Sequence, residues 1–372
     1  MNSLNNVYIF HIIKLSNLFK YKAKIMIDLR SDTVTLPSDE MKSALMNAPL
    51  GDDVFKEDPT VNELENQISD LFGKEDALFV PSGTMANLIS ILTHCKRGDE
   101  VLLGDKSHIF KYEGGGISVF GGIHSNQLHN NNDGTINIED ITNNIRDCDD
   151  DHFPKTTLMC LENTHNLCYG APLTSNYISD VKSILKKNNI NLHIDGARIF
   201  NASVALNTSV KNLAQDAESI TCCLSKGLSS PVGSLIISNK DFISNARKIR
   251  KALGGGMRQA GILAGAGIFS INNMVERLQQ DHDNAKLLSS ELKQIEEIDI
   301  NTNQVYTNLI FFNLISSNIT CHDFMSKLLN YEIKIDYKGN QRFRMVTHFG
   351  FEKKDIEKVI LAFKKIFLNK GN

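Results

Sequence analysis
From Asp58 onward the chain alternates two patterns: stretches with apolar residues every three or four positions, and short runs that are apolar throughout. The first marks a helix with one buried face, the second a strand buried on both faces. The first helix is expected to open at Thr60, with Glu63 three residues on in the arrangement of a capping box, and to carry Leu64, Ile68, Leu71 and Phe72 on one face. A buried strand over 77–80 leads through Ser82-Gly83-Thr84 into a helix with Met85, Leu88, Ile89 and Leu92 inward. Further strands are expected over 101–103, 156–161, 191–194, 219–224 and 234–237, and a helix over 177–187 with Ile178, Val181, Ile184 and Leu185 inward. This alternation predicts an α/β fold, a mostly parallel central sheet with helices on both faces. A long helix over 273–295 is expected to carry the chain into a second unit. There 308–314, 321–329, 343–347 and 355–367 read strand, helix, strand, helix. Residues 126–133 are polar and rich in asparagine and read as a loop.

At 372 residues the chain exceeds one core of ordinary size. The pattern divides it into a large domain with its N-terminal arm, 26–272, and a smaller C-terminal α/β domain, 273–372. Residues 1–25 stand apart, with no acidic residue and no arginine. They lack the charge-first, small-residue-last layout of a secretory signal, so a disordered tail or an over-long start is expected. A net charge of −3 offers no basic surface for nucleic acid or an anionic membrane. No run reaches the roughly 20 apolar residues that a membrane span needs. The seven cysteines are scattered without a Cys-x-x-Cys pair, the pattern of reduced thiols in a cytoplasm.

Three strand ends carry the candidate chemistry. Asp195 closes an apolar strand in His193-Ile194-Asp195-Gly196-Ala197-Arg198. Ligands of open α/β sheets bind beyond the carboxyl ends of strands, where such an acid can meet a cationic ring nitrogen. Lys226 follows another apolar strand in Cys222-Cys223-Leu224-Ser225-Lys226-Gly227, and a desolvated lysine amine there suits Schiff-base chemistry. Gly83 and Thr84 open a helix, whose unpaired N–H groups make a seat for phosphate. Phosphate seat, then aspartate, then lysine is the order expected of a pyridoxal-phosphate site, and His108 fits an aromatic partner for the ring face. The same set would serve β-elimination, racemisation or transamination. A non-catalytic phosphate binder is disfavoured, because Gly114-Gly115-Gly116 and Gly254-Gly255-Gly256 lack the spacing of a dinucleotide fingerprint or a P-loop. No His-Glu-x-x-His or Cys/His cluster suggests a metal site.

From Met26 onward the chain resembles the low-specificity L-threonine aldolases, fold-type I pyridoxal-phosphate enzymes. The resemblance lies in Arg30-Ser31-Asp32-Thr33, Gly51-Asp52-Asp53-Val54, Ser82-Gly83-Thr84, Glu162-Asn163-Thr164-His165-Asn166, Asp195-Gly196-Ala197-Arg198, Leu224-Ser225-Lys226-Gly227, Gly254-Gly255-Gly256-Met257-Arg258-Gln259 and Arg344-Met345-Val346-Thr347-His348, in the family's order. It implies that Lys226 attaches pyridoxal 5'-phosphate, Asp195 holds the ring nitrogen, His108 stacks on the ring, and Gly83 and Thr84 bind the phosphate. Ser31, Arg198 and Arg344 would grip the substrate carboxylate. Arg258 and Lys251 would reach the phosphate of a neighbouring subunit, in a homodimer at least and a homotetramer by the family's habit. His152 stands where the family often has a histidine near the substrate hydroxyl. The implied reaction is aldol cleavage of L-threonine and L-allo-threonine to glycine and acetaldehyde, in the cytoplasm. Two stretches depart from the family: Phe55-Lys56 stands in place of Tyr-Gly, and Asn166-Leu167-Cys168-Tyr169-Gly170 has less glycine than usual.

Overall fold
The apolar runs become strands of a sheet that brings their ends to one edge. The computed structural model describes residues 26–368, so the expectations for 1–25 lie outside the described residues. The strands of the first part are β1 (Ile27–Asp28), β2 (Asp76–Val80), β3 (Glu100–Gly104), β4 (His124–Leu128), β5 (Thr156–Glu162), β6 (Asn191–Gly196), β7 (Ser219–Cys223) and β8 (Ser234–Ser238). Seven of them form one sheet in the order β2-β8-β7-β6-β5-β3-β4. Only β8 runs against its neighbours β2 and β7. The other pairs are parallel, so β2 to β7 all point the same way and their carboxyl ends share one edge. Every residue of β3, β7 and β8 is buried, as the continuous apolar runs require. The outermost strand, β4, is mostly polar and partly exposed. The loop expected from residue 126 therefore begins only at His129, because an edge strand half in water needs no apolar run.

Beyond the large sheet come β9 (Ile298–Asp299), β10 (Leu309–Leu314), β11 (Ile333–Lys334), β12 (Asp336–Tyr337) and β13 (Arg342–Val346). Four of these form an antiparallel sheet, β12-β13-β10-β9, while β11 pairs in parallel with β1. The start of the arm is thus bound to the C-terminal unit, and Leu29 is buried in that unit's core with Phe312, Phe324, Phe343 and Phe363. Phe312 stacks on Phe343 at 5.3 Å, and Phe324 meets Phe363 edge-on at 5.2 Å. Each such ring pair contributes about 0.5–1.5 kcal/mol beyond its buried area.

Among the helices are α1 (Pro59–Phe72), α2 (Gly83–His94), α3 (Gly261–Asn273) and α4 (Leu278–Leu292), the last two carrying the chain from the large unit into the second. The cap of α1 is Asp58, not Thr60. Its Oδ1 accepts from the amides of Thr60 (3.1 Å) and Val61 (3.0 Å), while the Thr60 hydroxyl donates to the Pro49 carbonyl at 2.7 Å. Pro59, which has no N–H to leave unpaired, fits the first helical position and starts the helix early. Leu64, Ile68 and Phe72 are buried, whereas Leu71 is exposed. The helix expected over 273–295 is α4, which begins only at Leu278, because Asn273 still belongs to α3 and the chain breaks between them. The break has a packing reason. The small residues of α3, Ala264 to Gly267, are buried within the large unit, against α1 and the helix Asp39–Met46. Ala285, Leu288 and Leu292 of α4 belong to the C-terminal core.

Candidate active site
Asp195 and Lys226 come to the same edge of the sheet because their strands are neighbours. In the β5–β6–β7 register Glu162 lies opposite Asp195 and Asp195 opposite Thr221, and Lys226 follows three residues after the end of β7. Asp195 is 2% exposed. Its Oδ2 accepts from Asn87 Nδ2 at 2.9 Å and its Oδ1 from the Ala197 amide at 3.1 Å. Lys226 lines a cavity of about 200 Å³ together with Ser31, Thr33, His108, Tyr112, Asn166, Arg198, Lys338 and Arg344. The backbone at Lys226 is pinned, since its carbonyl accepts from Thr35 Oγ1 at 3.1 Å and from the Ser229 amide at 2.9 Å.

The helix α2 opens at the same edge. Ser82 caps it by accepting from the Met85 amide at 3.2 Å, leaving the amides of Gly83 and Thr84 at the open end of the helix, where no intrahelical acceptor exists. A Cβ on Gly83 would come within 2.7 Å of Cys223 Sγ, so only glycine lets this turn lie against the end of β7. His108 begins the short helix that Ser107 introduces. Its amide donates to Glu162 Oε2 at 2.7 Å, and its Nδ1 lies 2.8 Å from Glu113 Oε1. Burial alone would lower the His108 pKa, but the bond to Glu113 and the nearby carboxylates of Asp195 and Glu162 raise it.

The two arginines differ in what they are free to do. Arg198 is already held by Asp32, Nε to Oδ2 at 2.8 Å and Nη2 to Oδ1 at 2.7 Å. The expected carboxylate fork is therefore occupied from within, and Arg198 reaches the cavity with what remains of its guanidinium. Burial would raise the Asp32 carboxyl, but the Arg198 guanidinium holds it well below the usual carboxylate range. Arg344, on β13, is oriented by Asn166 Oδ1 at 2.7 Å, the Arg30 carbonyl at 2.8 Å and Asp336 at 2.9 Å. Its buried Nε has no partner among the described residues.

Other expected residues lie elsewhere. His152 does not join the cavity in this chain: it precedes β5, at the opposite edge of the sheet from Glu162. The seven residues of β5 separate the two edges, roughly 20 Å at ~3.3 Å per residue. Its side chain is 91% exposed and bound to Asp150 at 2.6 Å. Short sequence context cannot tell which edge of a sheet a loop belongs to. Lys251 and Arg258 do not line the cavity either; Lys251 is exposed, and the Arg258 side chain, half exposed, pairs with Asp52 at 3.0 Å. Their turn packs near the start of α2, where a Cβ on Gly255 would lie 2.3 Å from Met85 Sδ. Sequence reasoning misses Asp32, Asn87, Glu113, Tyr112 and Lys338. Asp32 sits in the Arg30-Ser31-Asp32-Thr33 stretch, which carries a signal for it; the others have none nearby.

The chemistry of this donor set suits pyridoxal phosphate: a buried carboxylate for a ring nitrogen, a primary amine, an imidazole, an open helix start and an unpartnered guanidinium nitrogen. Fold and site are those of a pyridoxal-phosphate-dependent lyase. The model of the β-eliminating lyase family matches residues 28–315, and the chain belongs to that family. It is 45% identical over 349 residues to the low-specificity L-threonine aldolase 1 of Arabidopsis thaliana, covering 92% of this chain and 96% of that one. It is 48% identical over 269 residues to the low specificity L-threonine aldolase of Escherichia coli K12, covering 72% and 80%. The solved structure of a Leishmania major threonine aldolase shares the fold with a TM-score of 0.76 at 19% identity, over 91% of this chain and 99% of that one. Among the described residues, no helix is long and apolar enough to cross a membrane.

Proposed function
We propose that this chain cleaves L-threonine and L-allo-threonine to glycine and acetaldehyde with pyridoxal 5'-phosphate as cofactor. The observation that carries the reading is the convergence of Lys226, His108 and Arg344 on one cavity, at the strand edge where Asp195 lies buried. Asp195 would hold the ring nitrogen, Lys226 the aldehyde carbon, and the amides of Gly83 and Thr84 the phosphate. When bound, the cofactor supplies an electron sink for the charge left at Cα.

The residues of the chain do the rest. Arg344, with Ser31 and the Asp32-braced Arg198, holds the substrate carboxylate; a guanidinium suits this task because its planar fork binds two oxygens. Fixing the carboxylate would set the rotation about the substrate's Cα and so select Cα–Cβ as the bond to be broken. His108, or a water it holds, accepts the β-hydroxyl proton as the Cα–Cβ electrons depart and the carbonyl of the aldehyde forms. A proton delivered to Cα restores the balance and gives glycine. General-base action of this kind is worth ~10²–10⁴-fold.

The reading extends to an assembly of two or four copies in which Arg258 and Lys251 serve a neighbour's phosphate. Their place outside the cavity of their own chain supports it. A cytoplasmic setting is supported by seven free cysteines. The test is to supply L-threonine and measure acetaldehyde against ammonia and keto acid. Ammonia and keto acid as main products would make the chain an eliminating enzyme instead. Lys226→Ala is expected to lose both turnover and the borohydride-reducible yellow colour; a variant keeping both would sink the assignment of Lys226.

A further inference from the structure
A carboxylate outside the expected set lies beside His108. Glu113 follows five residues on, just past the short helix His108–Lys111, and its side chain is 4% exposed. Glu113 Oε1 is 2.8 Å from His108 Nδ1 and accepts from Asn87 Nδ2 at 2.8 Å. The same Asn87 Nδ2 donates to Asp195 Oδ2 at 2.9 Å. Asn87 Oδ1 in turn accepts from Thr221 Oγ1 at 3.0 Å, which fixes the amide so that its nitrogen faces the two acids. The partner of the ring nitrogen and the residue for the ring face are therefore one hydrogen-bonded unit, Asp195–Asn87–Glu113–His108.

We infer that Glu113 is the positioning residue of His108: it holds the Nδ1 proton and so turns the Nε2 lone pair toward the cavity. An imidazole has one acceptor nitrogen in its neutral form, and the bond made by the other nitrogen decides which it is. With Nδ1–H committed to Glu113, Nε2 is left to take the β-hydroxyl proton. The imidazolium that forms is then paired with a carboxylate. The proton count is restored when Cα is protonated. The Glu113 pKa is raised: burial and the nearby Asp195 carboxylate push it up, and the bonds to His108 and Asn87 oppose that rise. Other charged groups face His108 as well. The negative charges of Asp195 and Glu162 raise its pKa from nearby. Lys226, Arg198 and Arg344 line the same cavity, with Tyr112 and Lys338. Glu113 differs from all of these in being bonded to the ring.

The inference rests on the aldolase reading, and wild-type acetaldehyde formation in the same assay tests that reading separately. The holoenzyme and its Glu113→Gln variant, which keeps shape and loses charge, are compared in two ways. In ¹⁵N-histidine NMR, with the His108 signal assigned from His108→Asn, the wild-type ring should carry its proton on Nδ1. In Glu113→Gln the His108 titration should move down by about one pH unit. In kinetics, kcat should fall roughly 10- to 100-fold, the range over which the outer partners of a histidine commonly act, with KM nearly unchanged. The acid limb of the kcat/KM profile should move to lower pH. In the His108→Asn background the same substitution should cost nothing further, because the two residues act as one unit. An unshifted His108 titration, or equal losses with and without His108, overturns the inference. Should Glu113→Gln fold poorly, Glu113→Ala is read by the same NMR titration: a lost Nδ1 proton and a lowered His108 titration are the expected results, and an unmoved His108 overturns the inference.

Discussion
Asp32 shows how much one side chain can decide. It is fully buried, takes Arg198 through both carboxylate oxygens, and also accepts from Asn308 Nδ2 at 3.3 Å across from the C-terminal unit. Asp32→Asn would leave the Arg198 charge buried without its counter-ion, and breaking such a pair costs about 3–5 kcal/mol. The variant should melt earlier, and the KM for threonine should rise by roughly tenfold or more if Arg198 loses its aim by about 1.4 kcal/mol. An unchanged melting temperature and KM would mean the pair is idle. The pH dependence has a definite sign. A carboxyl held below its ordinary 3.8 stabilises the fold fully above that value and loses the contribution only as pH falls through the lower folded value. Lys226 and Asp195 could be read from sequence because each follows or closes a short apolar run, where residue type and strand end coincide. Asp32 and Arg198 stand 166 residues apart, and Glu113 meets His108 only through the bend between them, so no local pattern announces either pair.

At the scale of elements, the apolar rhythm found nearly every strand of the large sheet and misplaced what polar contacts decide. The cap of α1 is the clearest case. Asp58 accepts not only from Thr60 and Val61 but also, through Oδ2, from the amides of Gly51 (3.1 Å) and Gly261 (2.9 Å). It therefore joins the start of α1 to the start of α3 and to the Gly-Asp-Asp turn, contacts that no window of sequence around Thr60 could show. Loss of a helix cap costs about 1 kcal/mol, and each further amide left buried and unpaired about 1–3 kcal/mol. Asp58→Ala should then destabilise the protein by about 3 kcal/mol or more, read as a lower thermal midpoint; a shift of the size of an ordinary cap would mean the two distant amides find other partners. The departure at Lys56 works in the other direction. Lys56 closes a short 3₁₀ turn at φ 61°, in the left-handed region, with its side chain exposed. That conformation costs an ordinary residue roughly 1–2 kcal/mol, against ~0.5–1 kcal/mol for the extra freedom of an unfolded glycine. Lys56→Gly is expected to raise stability by about 0.5–1 kcal/mol, and a lower melting temperature would count against it. Tyr169 has a similar φ of 60° but lays its ring on Phe311 at 5.2 Å and under Arg342 at 4.8 Å, contacts that offset the strain.

For the whole molecule the question is how many chains make one site. The cavity of a single chain holds the amine, the imidazole and the guanidinium, but Arg258 and Lys251 stay outside it beside the start of α2, Arg258 spent on a pair with Asp52. An exposed pair of that kind contributes at most about 1 kcal/mol, so a phosphate could take Arg258 from Asp52 at little cost. Whether that phosphate belongs to the same chain or to a neighbour can be decided without a structure of the assembly. Lys226→Ala lacks the amine, and Arg258→Ala lacks the guanidinium; each is expected to be impaired as a homomer. Unfolding and refolding the two together creates mixed assemblies. If Arg258 serves a neighbour, one site of a mixed pair draws Lys226 from the Arg258→Ala chain and Arg258 from the Lys226→Ala chain, and is intact. The other site of that pair lacks both groups. Activity should then exceed the sum of the two homomers. Should the mixture give no more than that sum, with mixed assemblies verified by mass, Arg258 would act on its own chain's phosphate, and the turn at Gly254–Gly256 would be part of one chain's seat for it.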